Sequence, residues 1–281
     1  MTDYRFVTVD VFTDRRFGGN PLAVFPEAEG LSDADILSLT REFNYSESTF
    51  VLPPQDPAND ARVRIFCPGG EMPFAGHPMV GTGHVLAKQR GKSELRFEVP
   101  AGIVKVAIRP QGAFIDAPKP LQILGNLPAA DVAACVGLEP ADVIGDAVEA
   151  SVGIDFIFAE LKPDALSRAR PDLGAFRRAA DKHGKDERFD ILFYVRESGN
   201  KIRARMFAPL QGIVEDPATG SANAVLAALL LEGDCADFTV SQGVEMGRPS
   251  LLHLTAKRGA DGVRSTVGGG CVPMFEGRVT L

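Results

Sequence analysis

The feature that most restricts this chain is a pattern that occurs twice. Arg62-Val63-Arg64-Ile65-Phe66-Cys67-Pro68 and Arg203-Ala204-Arg205-Met206-Phe207-Ala208-Pro209 both read R-x-R-x-F-x-P. Each leads through a loop to a titratable residue, a proline, two further residues, a glycine and a hydroxyl residue, in His77-Pro78-Met79-Val80-Gly81-Thr82 and Asp216-Pro217-Ala218-Thr219-Gly220-Ser221. The strands lie 141 residues apart and the loop ends 139 apart, about half of the 281-residue chain. A repeat at half the length predicts two similar domains. After each copy comes an almost uncharged run, 79–87 and 222–231, and a helix apolar on every side is a buried one. A carboxylate or imidazole followed by proline reads as a helix start, with His77 and Asp216 as caps and Pro78 and Pro217 in the first helical position. A buried helix end offers free N–H donors and positive partial charge, which suits an anion. If the two mouths face each other, His77 and Asp216 share one cleft.

The rest of the sequence fills in two strand-rich halves. Short alternating runs broken by glycine turns read as strands, and Ser32-Asp33-Ala34-Asp35 as a capping box opening an amphipathic helix to about Phe43. Pro118-Lys119-Pro120 is the expected linker, giving domains 1–117 and 118–270. Gly268-Gly269-Gly270 reads as a flexible hinge, and the last strand, 271–281, is expected to rejoin the first domain. Many strands around one apolar helix, twice over, predict an α+β protein of two pseudo-symmetric open β-barrels, each wrapped about its helix.

Composition excludes several functions. A net charge of −7 without a basic tract disfavours nucleic acid and anionic membranes as partners. The four cysteines form no C-x-x-C pair and read as reduced thiols of a cytoplasmic protein. No secretory signal, spanning run, P-loop, dinucleotide fingerprint, zinc helix or nucleophile elbow is present.

Glu47, in Ser46-Glu47-Ser48-Thr49-Phe50, stands at the start of an expected strand. Alternation leaves two readings: it points to solvent, or it is held over a cleft for proton transfer. His77 at a positive helix end is expected to be neutral or tuned by a nearby carboxylate. His84 reads as core, Cys67 as structural, and His183 and His253 carry no assignment.

Taken together, the chain resembles the PhzF family of phenazine-biosynthesis-like proteins, of the diaminopimelate epimerase-like fold. The resemblance rests on Phe17-Gly18-Gly19-Asn20-Pro21, Ser46-Glu47-Ser48-Thr49-Phe50, Pro73-Phe74-Ala75-Gly76-His77-Pro78 with Gly81-Thr82, Asp216 to Ser221, and Gln242-Gly243 with Gly247-Arg248-Pro249-Ser250. It spans nearly the whole chain. It implies two pseudo-symmetric domains, an active-site cleft between them, no cofactor or metal, and a homodimer. It also implies roles: Glu47 shuttles a proton within the substrate, His77 and Asp216 assist and bind a ring acid, and Ser221 hydrogen-bonds the substrate. Asn20, Gly76 and Gly220 complete the expected substrate-binding set.

Elementary chemistry agrees. Proton transfer beside a carboxylate builds negative charge that converging helix N-termini would stabilise, and exclusion of water would raise the pKa of Glu47. Neither mouth carries a cysteine, which argues against thiol-based racemases. Three functions stay open: an isomerase of a small cyclic or unsaturated carboxylic acid, an amino-acid epimerase using Glu47, His77 and Asp216, and a binding protein without turnover.

Overall fold

The computed structural model describes residues 1–185 and 188–281. The protein mixes α and β structure, with eighteen strands and five α-helices among the described residues. It divides into two compact units, one of Met1–Asp116 with Val267–Leu281 and the other of Ala117–Thr266. No helix among the described residues is long and apolar enough to cross a membrane.

Unit 1 contains β1 (Asp3–Val11), β2 (Asn20–Phe25), α1 (Asp33–Phe43), β3 (Glu47–Leu52), β4 (Ala61–Cys67), β5 (Gly70–Met72), α2 (Gly76–Arg90), β6 (Glu94–Val99), β7 (Gly102–Arg109) and β8 (Gly112–Asp116). Unit 2 contains β9 (Gln122–Leu127), α3 (Ala129–Cys135), β10 (Ala147–Ser151), β11 (Asp155–Glu160), α4 (Leu173–Lys182), β12 (Ile191–Arg196), β13 (Lys201–Ala208), β14 (Ile213–Asp216), α5 (Gly220–Leu229), β15 (Cys235–Gln242) and β16 (Ser250–Gly259). The strand β17 (Gly262–Gly269) runs across the division, and β18 (Cys271–Thr280) pairs antiparallel with β1.

Strand pairing follows one scheme in both units. In unit 1, β1–β2 is antiparallel, β2–β3 parallel, β3–β4 and β4–β5 antiparallel, β4–β6 parallel and β6–β7 antiparallel. In unit 2, β10–β11 is antiparallel, β11–β12 parallel, β12–β13 and β13–β14 antiparallel, β13–β15 parallel and β15–β16 antiparallel. A parallel pair needs a crossover, and each is supplied by a helix. The helices α1 and α4 carry the first crossover of each unit, and α2 and α5 the second.

The two kinds of crossover helix differ in their ends. On α1, Ser32 accepts a hydrogen bond from Asp35 N, and on α4 Asp172 accepts from Ala175 N, so both have ordinary side-chain caps. These helices bury one face, over Phe25, Phe50 and Phe66 in unit 1 and over Phe189, Phe193 and Phe207 in unit 2. By contrast, α2 and α5 have no side-chain cap and no acidic residue in the first turn. They are buried on nearly every side: α2 packs on β1, β2, β3, β6, β7 and β8, and α5 on β10, β11, β15 and β16.

Several sequence expectations are corrected. His77 is not the cap of its helix: Ala75 is the extended residue before it, and His77 and Pro78 lie within the first turn. That turn tolerates proline because its first N–H groups have no intrahelical partner. Nor does Asp216 cap α5. It is the last residue of β14, paired with Met206, and the helix begins only at Gly220 after Thr219. Gly268 and Gly269 lie within β17 rather than in a loop. A Cβ on Gly268 would lie 2.3 Å from the Phe114 ring, and one on Gly270 2.7 Å from Thr13 O, so close packing demands glycine there. The short strands β5, β9, β10 and β14 were not evident in the sequence. His84 is half-buried rather than core, and burial holds its pKa below the usual value.

Candidate active site

In unit 1 the fold brings Glu47 to the mouth of α2. Alternate residues of β3 face opposite ways. Phe50 joins the aromatic cluster under α1, stacked on Phe25 at 4.8 Å. Thr49 faces the other way, onto α2, where its hydroxyl lies 2.8 Å from that of Thr82. Glu47 is two residues before Thr49 and shares its face. His77 is five residues before Thr82. Two strand residues span about 6.6 Å and five helical residues about 7.5 Å, so the pairing at Thr49 and Thr82 carries Glu47 to His77. The Glu47 Oε2 to His77 Nδ1 distance is 3.5 Å, with 13% of the Glu47 side chain exposed and 5% of His77.

The Glu47 carboxylate is poorly solvated. Its Oε2 is buried and accepts no hydrogen bond among the described residues. Burial pushes its pKa from 4.5 up to about 7, opposed by Ser46 as a competing donor. The Ser46 hydroxyl also lies within hydrogen-bonding distance of Asn20 Oδ1 (3.1 Å). Asn20 opens β2 and is buried. The loop before it turns back through Phe17 and Gly19, both at positive φ, and Phe17 N donates to the buried Asp10 Oδ2 at 2.8 Å. Gly19 cannot be replaced freely, because a Cβ there would lie 2.2 Å from Val11 O. Gly76 is the first residue of α2 and is buried. Thus Glu47 and His77 meet in unit 1, with Gly76 next to His77 in the first turn of α2 and Asn20 bonded to Ser46, around a carboxyl whose pKa burial brings to about 7.

In unit 2 Asp216, Gly220 and Ser221 gather at the mouth of α5, in a different setting. Asp216 Oδ2 accepts from the Thr219 hydroxyl. The side chain of Gln242, fully buried, donates to Asp216 O (2.8 Å) and to Thr219 Oγ1 (3.0 Å), and accepts from Thr219 N (3.3 Å) and Asn223 Nδ2 (2.7 Å). On the other side of the loop, Ser250 Oγ donates to Pro217 O at 2.8 Å. Gly243 passes so close that a Cβ would lie 2.6 Å from Pro217 O. These contacts explain why no helix forms at Asp216-Pro217: the backbone there is committed to the sheet, Gln242 and Ser250. Thr219, Asn223 and Gln242 were given no role in the sequence reading. The Gln242-Gly243 and Ser250 motif was the available signal, and its function is to hold this loop.

All four cysteines are free thiols. Cys67 Sγ donates to Gly70 O at 3.5 Å within the β4–β5 turn. Among the described residues no group of three or more His, Cys, Asp or Glu side chains is arranged to hold a metal ion.

Comparison with known proteins places this mixed α/β fold, with its buried carboxyl at a bare helix end, in the class of isomerases. The chain belongs to the phenazine biosynthesis-like protein family (PhzC-PhzF), whose model matches residues 9–277. It is 35% identical to trans-2,3-dihydro-3-hydroxyanthranilate isomerase of Pseudomonas aeruginosa, over 99% of this chain and 100% of that one. It is 34% identical to an uncharacterized isomerase of Mesorhizobium japonicum, with both chains covered in full. Among solved structures, a PhzF-family phenazine biosynthesis protein of Bacillus anthracis superposes with a TM-score of 0.89 at 23% identity, over 100% of both chains. The curated relatives thus carry isomerase names, and the last comparison shows the shared fold.

Proposed function

We propose that this protein is a cofactor-independent isomerase that moves a proton within a small cyclic or unsaturated carboxylic acid, with Glu47 as base and then acid. The observation that carries the reading is the position of Glu47. Its carboxyl is buried at the start of β3, 3.5 Å from His77 on a helix end that no side chain caps, with its pKa brought to about 7. A general base near the operating pH can both take and return a proton. The uncapped N–H groups and positive end of α2 suit the negative charge that develops on the substrate carboxylate. The isomerase names of the curated relatives support the reaction class, and a substrate resembling trans-2,3-dihydro-3-hydroxyanthranilate fits it. In this reading the two units are duplicated open barrels, as the shared pairing scheme supports. Their helix mouths serve one cleft, to which unit 2 contributes Asp216, Gly220 and Ser221. A cytoplasmic homodimer completes the proposal.

The test is proton exchange in heavy water with a panel of cyclic β,γ-unsaturated acids, followed by NMR. An isomerase incorporates deuterium while the double bond moves; an epimerase incorporates it while a stereocentre inverts; a binding protein incorporates none. Glu47→Gln should lower exchange by about 10²–10⁴-fold, with substrate affinity kept within roughly tenfold. Full exchange by that variant would falsify the assignment of the base.

A further inference from the structure

The hydrogen bonds at the mouth of α5 determine where protons lie. The backbone settles the orientation of the Gln242 amide. Thr219 N can only donate, so the oxygen facing it is Oε1, and Asp216 O can only accept, so the group facing it is the Nε2 amide. Asn223 Nδ2 donates to the same Oε1 (2.7 Å) and to Thr219 O (2.9 Å), in agreement with that orientation. One Nε2 hydrogen is engaged by Asp216 O. The other points at Thr219 Oγ1, 3.0 Å away. The Thr219 hydroxyl therefore accepts from Gln242, and its single proton is left to donate to Asp216 Oδ2.

We infer that Gln242 is a positioning residue that acts through Thr219: by donating to the Thr219 hydroxyl it turns that hydroxyl's proton onto Asp216 Oδ2, which favours the ionised carboxylate. The inference rests on Asp216 serving the proposed site, but the proton arrangement itself is independent of turnover. Only a side chain with a donor and an acceptor on one planar group meets both backbone partners and the hydroxyl at once, which is why an amide stands at position 242.

The experiment is a ¹³C-carboxyl NMR titration of Asp216 in the full-length protein, compared with Thr219→Val, Thr219→Ser and Gln242→Glu. Thr219→Val removes the hydroxyl at nearly constant shape and should move the Asp216 midpoint upward by about one pH unit. Thr219→Ser keeps the hydroxyl and should restore the wild-type midpoint. Gln242→Glu leaves at most one proton on the group, and Asp216 O, which can only accept, takes it; nothing then donates to the Thr219 hydroxyl, which is free to turn to the new carboxyl, and the Asp216 midpoint should again rise. An unchanged midpoint in Thr219→Val or Gln242→Glu overturns the inference. So does an equal rise in Thr219→Val and Thr219→Ser, which would signal a disturbed loop rather than a lost proton donor. If Thr219→Val does not fold, Thr219→Ser and Gln242→Glu still decide by the same criteria. Failure of the deuterium-exchange test with a normal titration series would instead count against the enzymatic reading alone.

Discussion

Glu47 and Asp190 stand at the same place in the two units and meet opposite surroundings. Ser48 pairs with Phe66, and Ile191 pairs with Phe207, the residue at the same place in the second R-x-R-x-F-x-P motif. The residue before each is therefore equivalent: Glu47 in unit 1 and Asp190 in unit 2. Burial raises the pKa of both. Asp190 Oδ2, however, is held by Arg188 (2.9 Å) and Gln211 (2.6 Å), with the Arg188 guanidinium also over the Phe156 ring. Among the described residues no lysine or arginine pairs with Glu47, whose ion-pair contact is with His77. The same scaffold position thus holds a bonded strut in one unit and, in the proposed reaction, the proton carrier in the other. What separates them is whether the buried carboxylate has been given donors.

The hairpins leading to the two helix mouths are built alike. Arg64 binds both oxygens of Glu71 (2.8 and 2.6 Å), and Arg205 both oxygens of Glu215 (2.8 and 2.8 Å). Each guanidinium sits 4.9 Å over the ring of its own motif phenylalanine, Phe66 or Phe207. The units differ in burial. The Arg205 and Glu215 side chains are 5% and 13% exposed, and Arg205 also donates to Leu166 O and Ala169 O. In the first pair the figures are 19% and 32%, and Arg64 reaches on to the exposed Asp33. Removing one partner of a buried pair costs about 3–5 kcal/mol, whereas exposed pairs are worth about 0–1. Arg205→Ala should therefore lower unfolding free energy by about 4 kcal/mol, and Arg64→Ala by far less. Urea denaturation of both variants measures the difference, and equal losses would mean that burial does not distinguish the clamps.

The two carboxylates should respond to neutralisation with the same sign and unequal size. The native pKa of Glu47 lies near 7 and its unfolded value near 4.5. Between those values the native state binds more protons than the unfolded one, so stability falls as pH rises. Below about 4.5 both states are protonated and nothing is lost. Above about 7 the full penalty applies, on the order of 3 kcal/mol. Glu47→Gln should stabilise the protein by that order at pH 8 and scarcely at pH 4. Arg188 and Gln211 oppose the same rise at Asp190, so Asp190→Asn should stabilise at pH 8 by less than Glu47→Gln does. Melting temperatures of both variants at the two pH values test this; a destabilised Glu47→Gln at pH 8 would remove the basis for treating Glu47 as a strained base.

The repeated R-x-R-x-F-x-P motif made the paired strands and the two buried helices legible, because arginine, phenylalanine and proline each have a fixed task in that hairpin. The capping box at Ser32 was equally readable, since a local side-chain bond creates it. Helix starts at His77 and Asp216 were misplaced because proline fits an extended chain as well as a first helical turn, and bonds from residues far along the chain decide between them. Glycines 268–270 looked like freedom and are close packing, a distinction that depends on Phe114 and Thr13. The chemistry of Glu47 could be suspected from Ser-Glu-Ser, but its burial could not, because alternation admits either face. Asp190 gave no signal at all: its equivalence to Glu47 appears only in the strand register.

The smallest expected difference concerns the seat of the central helices. By the 139-residue spacing of the loop ends, Gly83 of α2 corresponds to Ala222 of α5, which is fully buried. Unit 2 thus accommodates a methyl group where unit 1 has none. A Cβ on Gly83 would lie 2.5 Å from Val106 Cγ1, and one on Gly81 2.6 Å from Leu22 Cδ2 and 2.8 Å from Val11 Cγ2. Valine is stiff at χ1 and cannot swing aside at low cost, whereas the Leu22 tip can yield. Overpacking costs about 1–3 kcal/mol, and replacing a mid-helix glycine by alanine returns about 1. Gly83→Ala should therefore destabilise by about 1 kcal/mol, and Gly81→Ala, which meets Val11 as well as the yielding Leu22 tip, by a comparable amount. Relief of the clash by a small shift of α2 would displace His77 from Glu47, so the His77 imidazole resonances should move in Gly83→Ala while unit 2 resonances stay in place. If Gly83→Ala is neutral and His77 is undisturbed, the helix has slack, and something other than its close seating on β7 sets the Glu47–His77 distance.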